Sequence, residues 1–443
     1  HGLGSAIMSH TRLLSASFGY EWNPWWLVVL TLLAVWSVAE LLFFIWFVIR
    51  LRDAQEQVEP LESTDAHRRV LLDQMLLHAG EYGILRQIEG WFDEFGPDVG
   101  QEDVSSLLAW AFFFKNMDDL DDKEREWVAL VRRKFDEQFG LDHILAPGST
   151  GAKLMRHTMD PVRAIHHPLL FYAIVHGAKI FTRCLLRSRG FRRSRHGDLH
   201  YWYFVPDDPY NCEEPLIFFH GIGIGLFQYI PLLLKLPTDR AQFLFELEWI
   251  SMNPLAVVPT SDAYARWVVE VLAHHDVTRC TGMGHSFGSL PITWLLRWYP
   301  GLLSRCVLLD PVAMLLNLPD VCMNCLYRRP KTALGWFIRF VYARELGLAK
   351  TFMRQFFWTE HVLFPNMLPR DSSVILMGED CLLPVDEIYA ATKRHTELNV
   401  EVFSGLDHAG FLRMPSVVHA IVDHLRLDLD ACGRSVSFNA GDR

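Results

Sequence analysis

Positive charge is in short supply. The 443-residue chain carries 42 lysines and arginines against 52 aspartates and glutamates, a net charge of −10. No basic tail gathers the cations, which argues against nucleic acid as the main partner. Zinc-finger spacing is also missing. Cys322 and Cys325 have the spacing of half a metal site, but no second cysteine pair or histidine couple follows, so no structural metal is expected. The other six cysteines, Cys184, Cys212, Cys280, Cys306, Cys381 and Cys432, are scattered. Several lie in apolar runs where a free thiol packs as a small hydrophobe, and reduced thiols facing the cytosol are expected. With 50% hydrophobic and 21% charged residues, bulk disorder is excluded too.

Between residues 25 and 49 charge is lacking except for Glu40. At about 1.5 Å per residue the run exceeds a hydrocarbon core of roughly 30 Å. A cleaved signal peptide would be shorter and end in small residues, whereas this run ends in FVIRLR. A transmembrane anchor is expected at 25–50, after an N-terminal tail at 1–24 whose first seven residues, ahead of Met8, read as an appended stretch. A buried core helix is the alternative, and all-round hydrophobicity at this length weighs against it. Glu40 is expensive in lipid and is expected to face a partner helix or snorkel. Arg50 and Arg52 follow the run and only Arg12 precedes it, which places the catalytic portion in the cytosol, on the endoplasmic reticulum or another endomembrane.

Residues 51–195 read as a helical, membrane-proximal region. DAHRRVLLDQMLLHAGEYGILRQIEGWFDEF, DVSSLLAWAFFFKNM and DKEREWVALVRRKFDEQFG repeat apolar residues at three and four. A further apolar helix runs into an arginine cluster, Arg183 to Arg195. That segment either lies in the membrane interface with its arginines on anionic headgroups or is a solvated basic loop beside a core helix.

From residue 196 the texture changes. DLHYWYFVP, PLIFFHG, AQFLFELEW, VTRCTGMGHS, SRCVLLDP, SVILMGED and VEVFSG are short apolar runs, most of them separated by helix-length segments. Buried parallel strands covered by helices read this way, with ligand chemistry at their carboxyl ends. Residues 313–370, with Trp336, Phe337, Phe340, Phe356, Phe357 and Trp358, interrupt the rhythm and are expected to form a helical lid between the sheet's two parts, 196–312 and 371–430. Ordinary core packing would explain these aromatics as well. A C-terminal tail closes the chain at 431–443.

One serine stands between two glycines where a strand ends and a helix begins. Gly284-His285-Ser286-Phe287-Gly288 fits the G-x-S-x-G elbow, whose sharp turn demands small flanking residues and holds the hydroxyl out at the head of a helix. Upstream, the strand ending in FFHGIGIGL offers His220, Gly221, Ile222 and Gly223. Glycines there let backbone N–H groups approach an oxyanion, and Ile222 N–H would pair with Phe287 N–H. A phosphate loop would need a Lys-Ser/Thr that is missing. Downstream, Asp380 and His408 each follow a strand, in the order Ser, Asp, His that this architecture requires. His408 would act as base and Asp380 would hold its tautomer. Asp310, also after a strand, is the alternative acid.

On these stations the chain resembles the α/β-hydrolase superfamily over roughly residues 195 to 430. HGIGIGL, ELEWISMN, GHSFGS, LLDPVAMLLNLPDV and FFWTEHVLF are similar to a group of membrane-anchored α/β hydrolases from fungi and other eukaryotic microbes. The resemblance implies Ser286 as nucleophile, His408 as base, Asp380 as acid and the His220-Gly221-Ile222 turn as oxyanion station, with no cofactor. Three functions are carried forward. The first is a membrane-anchored serine hydrolase acting on esters of hydrophobic acyl substrates, with membrane lipids as its other contact. The second is an acyltransferase using the same triad, and the third a non-catalytic scaffold. Dehalogenase or epoxide-hydrolase chemistry would need a carboxylate in place of Ser286.

Overall fold

The structure, a computed structural model, describes residues 24–61, 63–93, 96–206 and 213–426. The expected tails before Pro24 and at 431–443, Arg12, Cys212 and Cys432 lie outside the described residues.

The chain enters through a 30-residue helix, α1 (Pro24–Asp53). Trp25 to Val38 are almost wholly exposed, whereas Phe47 and Ala54 are buried against the protein body. Glu40 faces a helix, as expected, and its carboxylate accepts the Leu169 N–H at 2.9 Å. The next long helices are α2 (Asp65–Tyr82), α3 (Gln101–Phe113), α4 (Asp122–Phe139) and α5 (Leu169–Ser188). α4 starts on a reciprocal cap between Asp121 and Glu124 and stops at Gly140 in the left-handed region, as its sequence suggests. α1 and α5 are the two described helices long and apolar enough to cross a membrane.

Eight strands form one sheet: β1 (Arg192–His196), β2 (Leu199–Phe204), β3 (Glu213–Phe219), β4 (Arg240–Glu246), β5 (Cys280–His285), β6 (Leu303–Leu309), β7 (Ser373–Met377) and β8 (Asn399–Phe403). Their order is β1-β2-β4-β3-β5-β6-β7-β8. β2 is antiparallel to both neighbours and the remaining pairs are parallel. This is the α/β-hydrolase arrangement. The seven expected strands are β2 to β8. β1 is a correction, because the sheet starts inside the arginine cluster and before the boundary at 196. An edge strand needs no apolar alternation, and charge protects its free edge. Arg193 reaches across the sheet to Glu246 at 2.8 Å.

Side chains alternate between two layers. Ile217 and Phe219 of β3 pack with α6 (Ser261–His274), α7 (Ser289–Trp298) and the N-terminal helices. Leu216 and Phe218 pack on the other face with the helix Pro415–His424. The helical region and the sheet therefore share one core. The insertion between β6 and β7 is divided in its contacts. Trp358 donates to Ala111 O at 2.6 Å and Phe357 meets Phe114 edge-on at 4.8 Å, so these two pack as core against α3 and its end, while Phe356 packs on Phe287 and Phe352. Phe337 and Phe340 are half exposed.

Arg354, 1% exposed, ties these parts together. Its guanidinium donates to Thr158 O, Asp160 O and Gln55 O at 3.1, 2.9 and 3.3 Å. Arg354→Met should strand those carbonyls and cost about 3 kcal/mol, read as a lowered midpoint of thermal unfolding. An unchanged midpoint would show that the carbonyls find water.

Candidate active site

β5 is buried along its whole length and delivers Ser286 at its carboxyl end. Ser286 has φ 53°, the left-handed region that a side chain disfavours. Its neighbours show why they are glycine. A Cβ on Gly288 would lie 2.1 Å from Phe219 O, and one on Gly284 2.6 Å from Gly288 O. The turn is pinned by Ser289, whose hydroxyl donates to Ser286 O at 2.6 Å and accepts Ala313 N–H at 2.9 Å.

Two residues more than 90 positions further on close on this hydroxyl. His408 Nε2 is 2.9 Å from Ser286 Oγ, and His408 Nδ1 donates to Asp380 Oδ2 at 2.5 Å. The other Asp380 oxygen accepts the N–H groups of Leu382 and Leu383 at 2.7 and 3.2 Å, which fixes the carboxylate. Burial alone would depress the His408 imidazole, but the carboxylates of Asp380, Asp310 and Asp407 outweigh it and hold it up at about 9. The arrangement suits proton transfer from Ser286 to Nε2.

Asp310, the alternative acid, is placed elsewhere. It is fully buried, and its two oxygens accept Met377 N–H at 2.8 Å and Ala409 N–H at 3.1 Å. It clips the end of β7 to the loop that carries His408. Burial and the nearby Asp380 carboxylate push its carboxyl well above the usual range.

The loop after β3 lies beside the serine. A Cβ on Gly221 would come within 2.9 Å of Ser286 Cβ, so only glycine passes here. Ile222 and Phe287 both line the cavity above Ser286. The Phe287 N–H belongs to a first helical turn, which leaves it without an intrahelical acceptor. An oxyanion would need two such amide donors beside the hydroxyl. His220 is a brace. Its Nε2 accepts Leu247 N–H at 2.9 Å, which leaves Nδ1–H to donate to Gly221 O at 2.7 Å. Burial keeps it neutral, with its pKa lowered to about 4.

Sequence reasoning missed Gln228 and Tyr229. Gln228 Nε2 donates to Ile222 O and its Oε1 accepts Ile224 N–H, at 2.7 and 2.8 Å. Its amide occupies the space beside Gly223, where a Cβ would stand 2.0 Å away. Tyr229 Oη accepts Gly221 N–H at 2.8 Å and donates to His285 Nδ1 at 2.5 Å. His285, burial-depressed and neutral, turns its Nε2 toward Asp310 Oδ2 at 3.9 Å. The available signal was two polar residues in the otherwise apolar stretch LFQYIPLLL.

The cavity over Ser286 has a volume of about 260 Å³ and is walled mainly by apolar side chains, among them Val312, Phe337, Ile338, Phe352 and Leu412. Among the described residues, two groups of acids and histidines are close enough to share an ion: Asp310, Asp380 and His408, and His200, Glu246 and Glu248. In both, the carboxylates already hold partners. Asp310 and Asp380 accept backbone N–H groups as above, Glu246 holds Arg193 and Trp202, and Glu248 holds Lys179. Neither donor set fits a metal.

An α/β-hydrolase enzyme from the metagenome of sediments of the Mar Chica lagoon, Morocco, matches 54% of this chain and 99% of its own, with a TM-score of 0.40 and 16% identity. Naproxen esterase from Bacillus subtilis matches 59% and 98%, with a TM-score of 0.39 and 13% identity. A membrane phospholipase A, a bacterial virulence factor, matches 58% and 97%, with a TM-score of 0.39 and 15% identity. No protein-family model matches the chain, and no curated protein matches it.

Because His408 accepts a proton only when neutral, the rate at which a fluorophosphonate labels Ser286 should climb as pH rises from 6, pass its midpoint near 9 and level off only above that. Asp310→Asn removes one of the charges that hold the imidazole up, so the limb should move to lower pH. A flat wild-type profile from pH 6 to 9 would contradict the assignment.

Proposed function

We propose that the chain is a membrane-anchored serine hydrolase that cleaves esters of hydrophobic acyl substrates through an acyl-enzyme on Ser286. The observation that carries the reading is the unbroken line from Ser286 Oγ through the His408 ring to Asp380, at 2.9 and 2.5 Å.

Ser286 Oγ attacks the ester carbonyl carbon as its proton passes to His408 Nε2. Asp380 steadies the imidazolium through Nδ1–H, and the Ile222 and Phe287 amides receive the negative oxygen. When the carbonyl re-forms, the alkoxide leaves with the proton from Nε2. A water then attacks the acyl-enzyme by the same route, with His408 again the base, and frees the acid. The apolar cavity wall gives the acyl chain a dry place to lie, and the insertion at 313–370, through Phe337 and Ile338, acts as its lid. α1 supplies the anchor, and the cations Arg50 and Arg52 at its end favour a cytosolic body.

A scaffold that never forms a covalent bond would have no use for Ser286 at φ 53°. Ser286→Ala and His408→Ala should each lower kcat for a long-chain ester by ~10³-fold or more, with KM little changed. Equal labelling of wild type and Ser286→Ala by a fluorophosphonate would remove the proposal. Products formed with added alcohols or thiols separate hydrolysis from acyl transfer.

A further inference from the structure

α1 leaves the protein body too early to cross a bilayer unaided. From Trp25 to Ala39, before the body takes hold, it has about 22 Å of length at 1.5 Å per residue, against a hydrocarbon core of roughly 30 Å. The next residue is Glu40, bound to the first N–H of α5, and one turn later Phe43 meets Tyr172 of α5 edge-on at 5.5 Å. A spanning α1 therefore brings the start of α5 to bilayer depth. The Glu40 carboxylate, costly there, is met by the Leu169 N–H and by the positive end of the α5 dipole.

The body is apolar where this requires it to be. On α5, Leu170, Ile174, Gly177, Phe181 and Cys184 recur at four, three, four and three, one stripe along the helix. The stripe is exposed, Leu170 by 57%, Ile174 by 63% and Phe181 by 57%, while Val175, Thr182 and Leu186 form the buried side. Leu255 and Val257, on the loop after β4, are exposed by 70% and 84%. Leu255 shares a groove with Phe43 and Trp46 of α1 and Leu169 of α5. In the last turn of α5 and just after it, Arg187, Arg189, Arg192 and Arg195 are exposed, cations of the kind that pair with lipid phosphates.

We propose that the body is sunk into the bilayer along the exposed stripe of α5 and the Leu255–Val257 loop, with the arginines at the end of α5 on headgroup phosphates, so that acyl chains reach Ser286 from the lipid. The inference rests on the membrane-bound reading above. The rim of the cavity agrees with it. Phe181 touches Phe227, the neighbour of cavity-lining Gln228, and Tyr172 donates to Glu345 at 2.9 Å, two residues past cavity-lining Ala343.

The test uses the full chain in phosphatidylcholine vesicles with a minority of phosphatidylserine and a phosphatidylcholine bearing a diazirine on its acyl chain. After irradiation, peptide mapping should find lipid adducts on α1 ahead of Glu40, on the Leu170–Phe181 face of α5 and on Leu255–Val257. Adducts on α1 alone, or cross-links from α5 to a second copy of the chain, overturn the proposal and leave the anchor standing. Absence of adducts on α1 removes the anchor and this proposal together, while fluorophosphonate labelling of Ser286 reports separately on the hydrolase. In a second arm, Ile174→Glu, Phe181→Glu and Val257→Glu combined should slow hydrolysis of a vesicle-borne lipid ester about tenfold and leave a soluble butyrate ester unaffected, which also shows that the variant is folded. Equal rates of variant and wild type on both substrates overturn the proposal.

Discussion

The site depends on how closely two turns approach each other. Gly288, at the head of α7, passes so near the end of β3 that a methyl group would meet both Phe219 O and His220 O, at 2.1 and 2.9 Å. β3 and β5 are sheet neighbours, with Phe219 beside Gly284. The strand that ends at the serine and the strand that opens the glycine loop are therefore locked in register, and the loop backbone comes up against the serine because the glycines let the turns touch. Ser286 bears the backbone strain of this contact, and the hydrogen bonds around Ser289 and Val312 hold it there.

Beneath the hydroxyl lies a set of buried polar groups without access to water. Tyr229 joins the Gly221 amide to His285, His285 faces Asp310, and Asp310 holds the Ala409 amide next to His408. The set runs from the loop after β3 to the loop that carries His408. Buried polar groups confer rigidity only when nearly all are satisfied. Here Tyr229 uses both a donor and an acceptor and Asp310 accepts through both oxygens, while His285 Nε2 stands 3.9 Å from Asp310, beyond hydrogen-bond distance. Asp310 belongs to this brace, and Asp380, a short distance away, is left free to contact the His408 ring.

The helices before the sheet are part of the same body. Trp358 and Phe357 of the insertion bind α3, Arg354 binds the loop after α1, and Glu345 binds α5. Any movement of the insertion over the cavity is therefore restricted to its less buried half, around Phe337 and Phe340. The same connections couple α1 to the cavity wall through two side chains, Tyr172 and Glu345.

Much of this could be read along the chain. The elbow glycines, the serine, and the order of acid and base are local patterns, because a turn this sharp admits few residue types and a strand buried on both faces must be apolar. α1 and the capped α4 were equally plain. What escaped was whatever depended on a distant partner. β1 is an edge strand whose arginines carry no strand periodicity, and it is identified by its pairing with β2. Phe357 and Trp358 fit a lid and a core equally well until α3 takes them. Asp310 and Asp380 each stand at the end of a strand, and the neighbours of their oxygens assign one to the backbone and the other to the imidazole. Composition and periodicity report on a residue's own turn or strand, whereas these distinctions rest on hydrogen bonds that exist only after segments some 30 to 250 positions apart have been brought together.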